Sequence, residues 1–219
     1  MHNRIVIVSG GELQTDFVLP ILKNPNEYII AVDKGINFFY KHQIKPNYIV
    51  GDFDSADDSI RTYFRTETNI PIRELNPIKD ESDTETAIRM AMTLGANEII
   101  ILGGTGGRMD HFWANVQSLK IPLKAGVRAC IVDEQNYIYL LAPGKQVIKK
   151  ADCFGKYISF FPLGEDVYGF TLEGFAYPTY GMHLTSDKSL CVSNEVEDDE
   201  ASISFRTGTL LVMETRDKQ

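Results

Sequence analysis

"EIIILGGTGGRMDHFWANVQSL", residues 98–119, sets an apolar run, a glycine loop and a helical pattern in direct succession. Ile99 to Leu102 are apolar at consecutive positions rather than alternate ones, which is the pattern of a strand covered on both faces. Beyond the loop, Met109, Phe112, Trp113, Val116 and Leu119 recur at helical spacing and lie on one stripe of an expected helix. Between them, Gly103, Gly104, Gly106 and Gly107 flank Thr105. Glycines contribute no packing, so here they serve to bring backbone amides close to a ligand or to permit positive φ. Strand, glycine loop and helix together make an anion-binding arrangement, with amide donors and a helix N-terminus aimed at phosphate. The stretch is not a Walker loop, because no Gly-Lys-Ser/Thr follows. Nor does it match the G-x-G-x-x-G dinucleotide fingerprint with its ribose-binding acid.

The same texture extends outward. "RIVIV" (4–8), "YIIAV" (28–32), "YIV" (48–50) and "RACIV" (128–132) are further apolar runs. Segments with helical spacing separate them. In "SDTETAIRMAMTLGANE", Ser82 and Glu85 have capping-box spacing, and Gly95 is a C-terminal stop signal. Alternating strand and helix predicts an α/β domain, a mainly parallel sheet with flanking helices of Rossmann-like type. Beyond residue 141, "KYISFFPL", "DVYGFTLEGFAY", "LCVSNEV", "ASISFRTG" and "TLLVMET" are short, aromatic and β-branched, which predicts a small all-β sandwich. Pro143 and Gly144 mark the boundary, giving domains 1–141 and 142–219.

Composition narrows the partners. The 219 residues are 43% hydrophobic and 24% charged, as in an ordinary globular protein. A net charge of −8 argues against nucleic acid, whose backbone selects a basic face, but leaves room for a nucleotide neutralised locally. Cys130, Cys153 and Cys191 are scattered and form no CxxC pair, which fits reduced thiols and a cytoplasmic location. No apolar run reaches membrane-spanning length, so no membrane partner is expected.

In an open parallel sheet the strand ends share one edge, and ligands bind in the crevice outside it. Here those ends lead to Ser9-Gly10-Gly11, Asp33-Lys34-Gly35, Gly51-Asp52-Phe53-Asp54-Ser55, the glycine loop and Asp133-Glu134. In an extended segment Asp52 and Asp54 point the same way, roughly 6.6 Å apart between Cα atoms, and can share a hard cation. Magnesium is favoured over zinc, since no His or Cys cluster accompanies them. In "KDESD" (79–83), Asp80 and Asp83 are either further ligands or acids stabilised at a helix N-terminus, and Lys79 is either a phosphate contact or a surface lysine. Arg108 offers a fork for phosphate oxygens. Asp110 suits orienting or deprotonating a hydroxyl. His111 is either a substrate contact or a loop-fixing residue.

Asp33-x-Gly35, "GDFDS" (51–55), "KDESDTETA" (79–87), "GGTGGRMDH" with Asn115, and "SNE" (193–195) together resemble thiamine pyrophosphokinases of the compact bacterial type. The motifs match in order and spacing over nearly the whole chain. The resemblance implies transfer of the diphosphate of ATP to the hydroxyl of thiamine, with magnesium, in a homodimer whose thiamine lies between the α/β domain of one subunit and the β domain of its partner. It implies metal binding by Asp52, Asp54 and Asp83, with Lys79, Asp80 and Ser82 on a nucleotide-facing turn. Asp33 and Gly35 would line the ATP side, with Arg108 and Gly103, Gly104, Thr105, Gly106 and Gly107 on the phosphates. Asp110 and His111 would meet thiamine, as would Ser193 and Asn194 of a second subunit. Two positions depart from the pattern. Lys34 replaces a frequent glycine and either contacts phosphate or points outward, and Ser82 replaces a threonine while keeping its hydroxyl.

Two other readings of the same residues exist. "GDFDS" after a strand also suits an aspartyl-nucleophile, magnesium-dependent phosphatase, with Asp52 forming a phosphoenzyme. A non-catalytic magnesium-nucleotide sensor would use the same cleft without turnover.

Overall fold

The computed structural model describes residues 4–53, 57–76 and 80–218. The chain divides into two compact units, the first ending at Glu134 and the second beginning at Gln135.

In the first unit the elements run β1 (Arg4–Val8), α1 (Thr15–Leu22), β2 (Tyr28–Val32), α2 (Ile36–His42), β3 (Tyr48–Gly51), α3 (Asp58–Thr66), β4 (Ile72–Glu74), α4 (Asp83–Thr93), β5 (Glu98–Leu102), α5 (Met109–Ser118), α6 (Lys120–Lys124) and β6 (Arg128–Val132). The strands lie in the order β4-β3-β2-β1-β5-β6, and each neighbouring pair is parallel. Ile5, Val6, Ile7 and Val8 are fully buried, as their unbroken apolar run requires of a central strand. Each such side chain stabilises the sheet by about 1.5–3 kcal/mol relative to exposure.

Register then levels the strand ends. Val8 pairs with Ala31 on one side and Leu102 on the other, and Val32 pairs with Val50. The chain leaves β1 for β2 in one direction and reaches β5 in the other, so β1 sits at the switch point where a crevice opens. α4 packs over β1, β2 and β3 through small buried residues, among them Thr84, Ala87 and Ala91. The Ser82 hydroxyl accepts from the Glu85 amide at 3.1 Å, so the expected N-cap forms. The Glu85 carboxylate is taken by Arg89 at 2.7 Å, which leaves the capping box one-sided.

The expected helix forms as α5, and its apolar stripe is buried at Val116 and Leu119 and half-buried at Phe112. Met109 is 72% exposed and Trp113 47%, while α5 buries Asn115, Val116 and Ser118. The Asn115 amide donates to the Gly104 carbonyl and the Ser118 hydroxyl to that of Ala114, so polar residues occupy the inner face with their hydrogen bonds satisfied.

The second unit contains β7 (Asn136–Leu141), β8 (Gly144–Lys149), β9 (Tyr157–Pro162), β10 (Val167–Glu173), β11 (Thr179–Leu184), β12 (Glu200–Phe205) and β13 (Leu210–Thr215). β7, β13 and β9 pair antiparallel, as do β11, β10, β12 and β8 in a second sheet. Phe160, Phe170, Leu172, Ile203, Phe205 and Val212 share one core, so the unit is the expected sandwich. The division after Glu134 moves Asn136–Leu141 out of the α/β part, where the boundary at 141 had left it, because β7 pairs with β13 along its whole length. "LCVSNEV" is not a regular strand; it meets β9 through a bridge between Asn194 and Ile158, through the Cys191 carbonyl, which accepts from the Phe160 amide, and through the Ser193 amide, which donates to the Ser159 hydroxyl.

Candidate active site

At the levelled edge of the first unit lies a cavity of about 620 Å³. The turn after β1 supplies Ser9, Gly10 and Gly11 to its lining, and that after β2 supplies Asp33 and Lys34. Asp52 follows β3, and Glu81 to Thr84 open α4. The glycine loop contributes Gly103, Gly104, Gly106, Gly107 and Arg108, and α5 adds His111, Phe112 and Asn115.

Backbone approach shapes the floor. Ser9 and Gly11 donate to the Leu102 and Gly103 carbonyls at 2.8 and 3.0 Å, which extends the β1–β5 pairing past the strand ends. Gly103 has φ +64, and a Cβ on it would lie 2.5 Å from the Ser9 carbonyl oxygen. At Gly35 an added Cβ would stand 2.3 Å from the Val8 oxygen, so this glycine permits packing and is absent from the cavity lining. Across the cleft, Ser9 Oγ and Thr84 Oγ1 lie 2.9 Å apart and buried, tying the start of α4 to the end of β1.

Asp33, Asp52 and Asp83 each present a carboxylate oxygen within 4.8 Å of the others, and all three are half-buried. Asp33 has φ +44 and Phe53 φ +59, so the turns flanking this cluster hold two non-glycine residues in the left-handed region. Such conformations persist only where the surroundings fix them, and here they aim side chains. Phe53 is buried in the core beside the half-buried Asp52. Three carboxylates this close repel one another unless a cation joins them. An all-oxygen donor set without His or Cys fits a hard divalent ion such as magnesium.

Arg108 grips Asp110 with two bonds, Nε to Oδ1 at 3.1 Å and Nη2 to Oδ2 at 2.6 Å. The Arg108 hydrogen bond, helped by the His111 amide, pulls the Asp110 carboxyl down to about 2. A depressed carboxyl contributes stability above the ordinary carboxylate range and loses it as pH falls through about 2. The pair is 75% and 62% exposed, so solvent screens it and that contribution is small. Chemically, Asp110 is fully ionised and weakly basic at neutral pH. It suits accepting a hydrogen bond from a hydroxyl better than removing its proton.

Several expected residues fall elsewhere. Thr105 is outside the lining and donates to Asp133 at 2.6 Å. Asp80 is exposed and outside the lining, where its neighbour Glu81 takes the place. Asp54 and Lys79 lie outside the described residues. In the second unit Asn194 is buried; its Oδ1 accepts from the Tyr177 and Glu195 amides, and its Nδ2 donates to the Tyr177 carbonyl. That side chain clamps its own loop. Ser193, at φ +55, is exposed beside it. Sequence reasoning missed Thr84 and Glu81, and noted Ser9 only as part of a turn. The position of Ser9 directly after the central strand was the available signal.

Fold and site thus define a class: an α/β domain with an acidic, glycine-lined cavity at its switch point, joined to a β-sandwich. Residues 19–131 match the model described as thiamin pyrophosphokinase, catalytic domain, and residues 145–210 match its vitamin B1 binding domain. Thiamine pyrophosphokinase of Bacillus subtilis strain 168 is 35% identical over 97% of this chain and 99% of its own. A crystal structure of thiamine pyrophosphokinase from Bacillus subtilis superposes with a TM-score of 0.87 at 32% identity, covering 98% of this chain and 100% of that one. One from Geobacillus thermodenitrificans gives 0.85 at 29% identity, with 99% of each chain covered. The chain belongs to the thiamine pyrophosphokinase family.

Proposed function

We propose that the protein transfers the terminal diphosphate of ATP to the hydroxyethyl oxygen of thiamine, giving thiamine diphosphate and AMP. The observation that carries this reading is the meeting of Asp33, Asp52 and Asp83 beside the glycine loop in one cavity. The thiamine oxygen attacks the β-phosphorus, the bond from that phosphorus to the oxygen of the α-phosphate breaks, AMP leaves, and the hydroxyl proton passes to solvent. Such transfers ask little covalent chemistry of the protein; positioning and charge neutralisation carry them.

Asp33, Asp52 and Asp83 hold magnesium in this reading, and bound there it neutralises charge on the phosphate oxygens. Asp33 thereby moves from the ATP side of the cleft into the metal set. Asp54 keeps the metal role, and Lys79 the place on the nucleotide-facing turn, that the resemblance implies. Loop amides and Arg108 bind phosphate, and Arg108 must loosen from Asp110 to do so. Asp110 then orients the thiamine hydroxyl. Ser193 is the better direct contact for the pyrimidine ring, with Asn194 shaping the loop that presents it.

A homodimer is part of the proposal. Tyr177, Tyr180 and Leu190 on the sandwich are 70%, 75% and 69% exposed, more apolar surface than a lone small unit usually leaves in water. A single-chain mass in light scattering at micromolar concentration would exclude it. Cytoplasmic residence is supported by three cysteines that form no disulfide, and no helix among the described residues is long and apolar enough to cross a membrane.

Chromatography of products from ATP and thiamine tests the reaction. AMP and thiamine diphosphate in equal amounts are expected. ADP with thiamine monophosphate would overturn the diphosphate transfer, and phosphate release without thiamine would favour the phosphatase.

A further inference from the structure

Among the described residues, the cavity lining carries Asp33, Asp52, Glu81 and Asp83 against two permanently charged cations, Lys34 and Arg108. Arg108 is held by Asp110 through both of its bonds. Lys34 differs. Among the described residues it forms no ion pair, although four carboxylates line the same cavity. Its backbone is fixed in the short turn Asp33–Gly35, which opens directly from β2 and is followed by buried Ile36. Its stem is confined as well: a Cβ on Gly10 would come within 3.0 Å of Lys34 Cβ, so the loop after β1 closes against the base of the side chain. The exposed side chain thus shares a cavity with the metal-type carboxylates and is anchored at its base, yet it is paired with none of those described.

A nucleoside triphosphate brings about four negative charges, of which one divalent ion offsets about two. An acidic cavity that accepts such a ligand needs further positive charge close to it, and a lysine supplies this as a mobile point charge. We infer that Lys34 is a phosphate contact for the nucleotide, a binding residue in addition to the glycine loop and Arg108. The inference rests on the nucleotide reading given above and deepens it.

Calorimetric titration of the full-length protein with a non-hydrolysable ATP analogue and magnesium tests the assignment, comparing wild type with Lys34→Met, Lys34→Gln and Lys34→Arg. Loss of one charge-assisted contact at a partly open site is expected to weaken the analogue about five- to tenfold in the Met and Gln variants, with Arg near wild type. Adenosine, lacking phosphate, is expected to bind all four proteins alike. Manganese titrated without nucleotide is expected to bind the Met and Gln variants as well as wild type or better, since a neighbouring positive charge has been removed. Unchanged analogue affinity in both neutral variants overturns the inference while leaving the function intact. Equal weakening of adenosine overturns it too, by showing a role in shape rather than charge. If wild type binds no triphosphate at all, the nucleotide reading itself has failed and the inference with it.

Discussion

Asp52→Asn is expected to lower turnover by at least a hundredfold, about 2.7 kcal/mol on the barrier, at ordinary magnesium. The substitution keeps the shape of the side chain and removes one charge from a group whose oxygens lie within 4.8 Å of those of Asp33 and Asp83. With two carboxylates left, metal affinity falls, and raised magnesium is expected to recover part of the rate. Stability is expected to move the other way. In chelator the three like charges repel, so replacing one relieves strain and the metal-free melting temperature rises, by about 2–4 °C for each kcal/mol relieved. Loss of function with gain of metal-free stability is the signature of a site that works against its own folding. Near-normal turnover, or a metal-free melting temperature well below wild type, would show that Asp52 serves the fold and not a cation.

A second large effect is expected in the glycine loop, where two positions with similar backbone angles should respond differently. Gly107 has φ +72 with nothing within 4 Å of an added Cβ, while Gly103 has φ +64 with the Ser9 carbonyl oxygen 2.5 Å away. Alanine at either pays the left-handed strain, about 1 kcal/mol. At Gly103 it must also force apart the loops that follow β1 and β5, raising the total to about 3 kcal/mol. Melting is then expected to fall by roughly 6–12 °C for Gly103→Ala and roughly 2–4 °C for Gly107→Ala. Activity of Gly103→Ala should fall with it, because the Ser9–Gly103 contact forms the cavity floor. Equal melting shifts in the two variants would mean that the loops are not interlocked as described.

The parallel strands could be read from residue order because each is an unbroken β-branched run, and the helix at 83–93 because Ser82 caps it. β4 could not: three residues with the pattern half-buried, exposed, exposed carry no periodic signal. Asp33 was legible as a cleft residue but not as a partner of Asp52 and Asp83. Their meeting depends on the Val32–Val50 register and on two left-handed turns, neither of which side-chain pattern reveals. The inner face of α5 was legible only in part for a related reason. Apolar spacing favoured Met109 and Trp113, whereas hydrogen bonds from Asn115 and Ser118 allow polar residues to turn inward. Asn194 shows the same limit in the sandwich, since a motif marks a position without saying whether its side chain faces a ligand or its own backbone.

In the proposed site, acidic residues from separate turns converge on one cation beside the phosphate loop. Diffraction from crystals soaked with manganese and a non-hydrolysable ATP analogue, recorded at the manganese absorption edge, tests it most directly. An anomalous peak bounded by the carboxylates of Asp33, Asp52 and Asp83, with analogue phosphates between it and residues 103–108, is the predicted result. A peak on the second unit's acidic segment "EVEDDE" (195–200) with none at the three aspartates, or analogue bound with its phosphates away from the glycine loop, would contradict this.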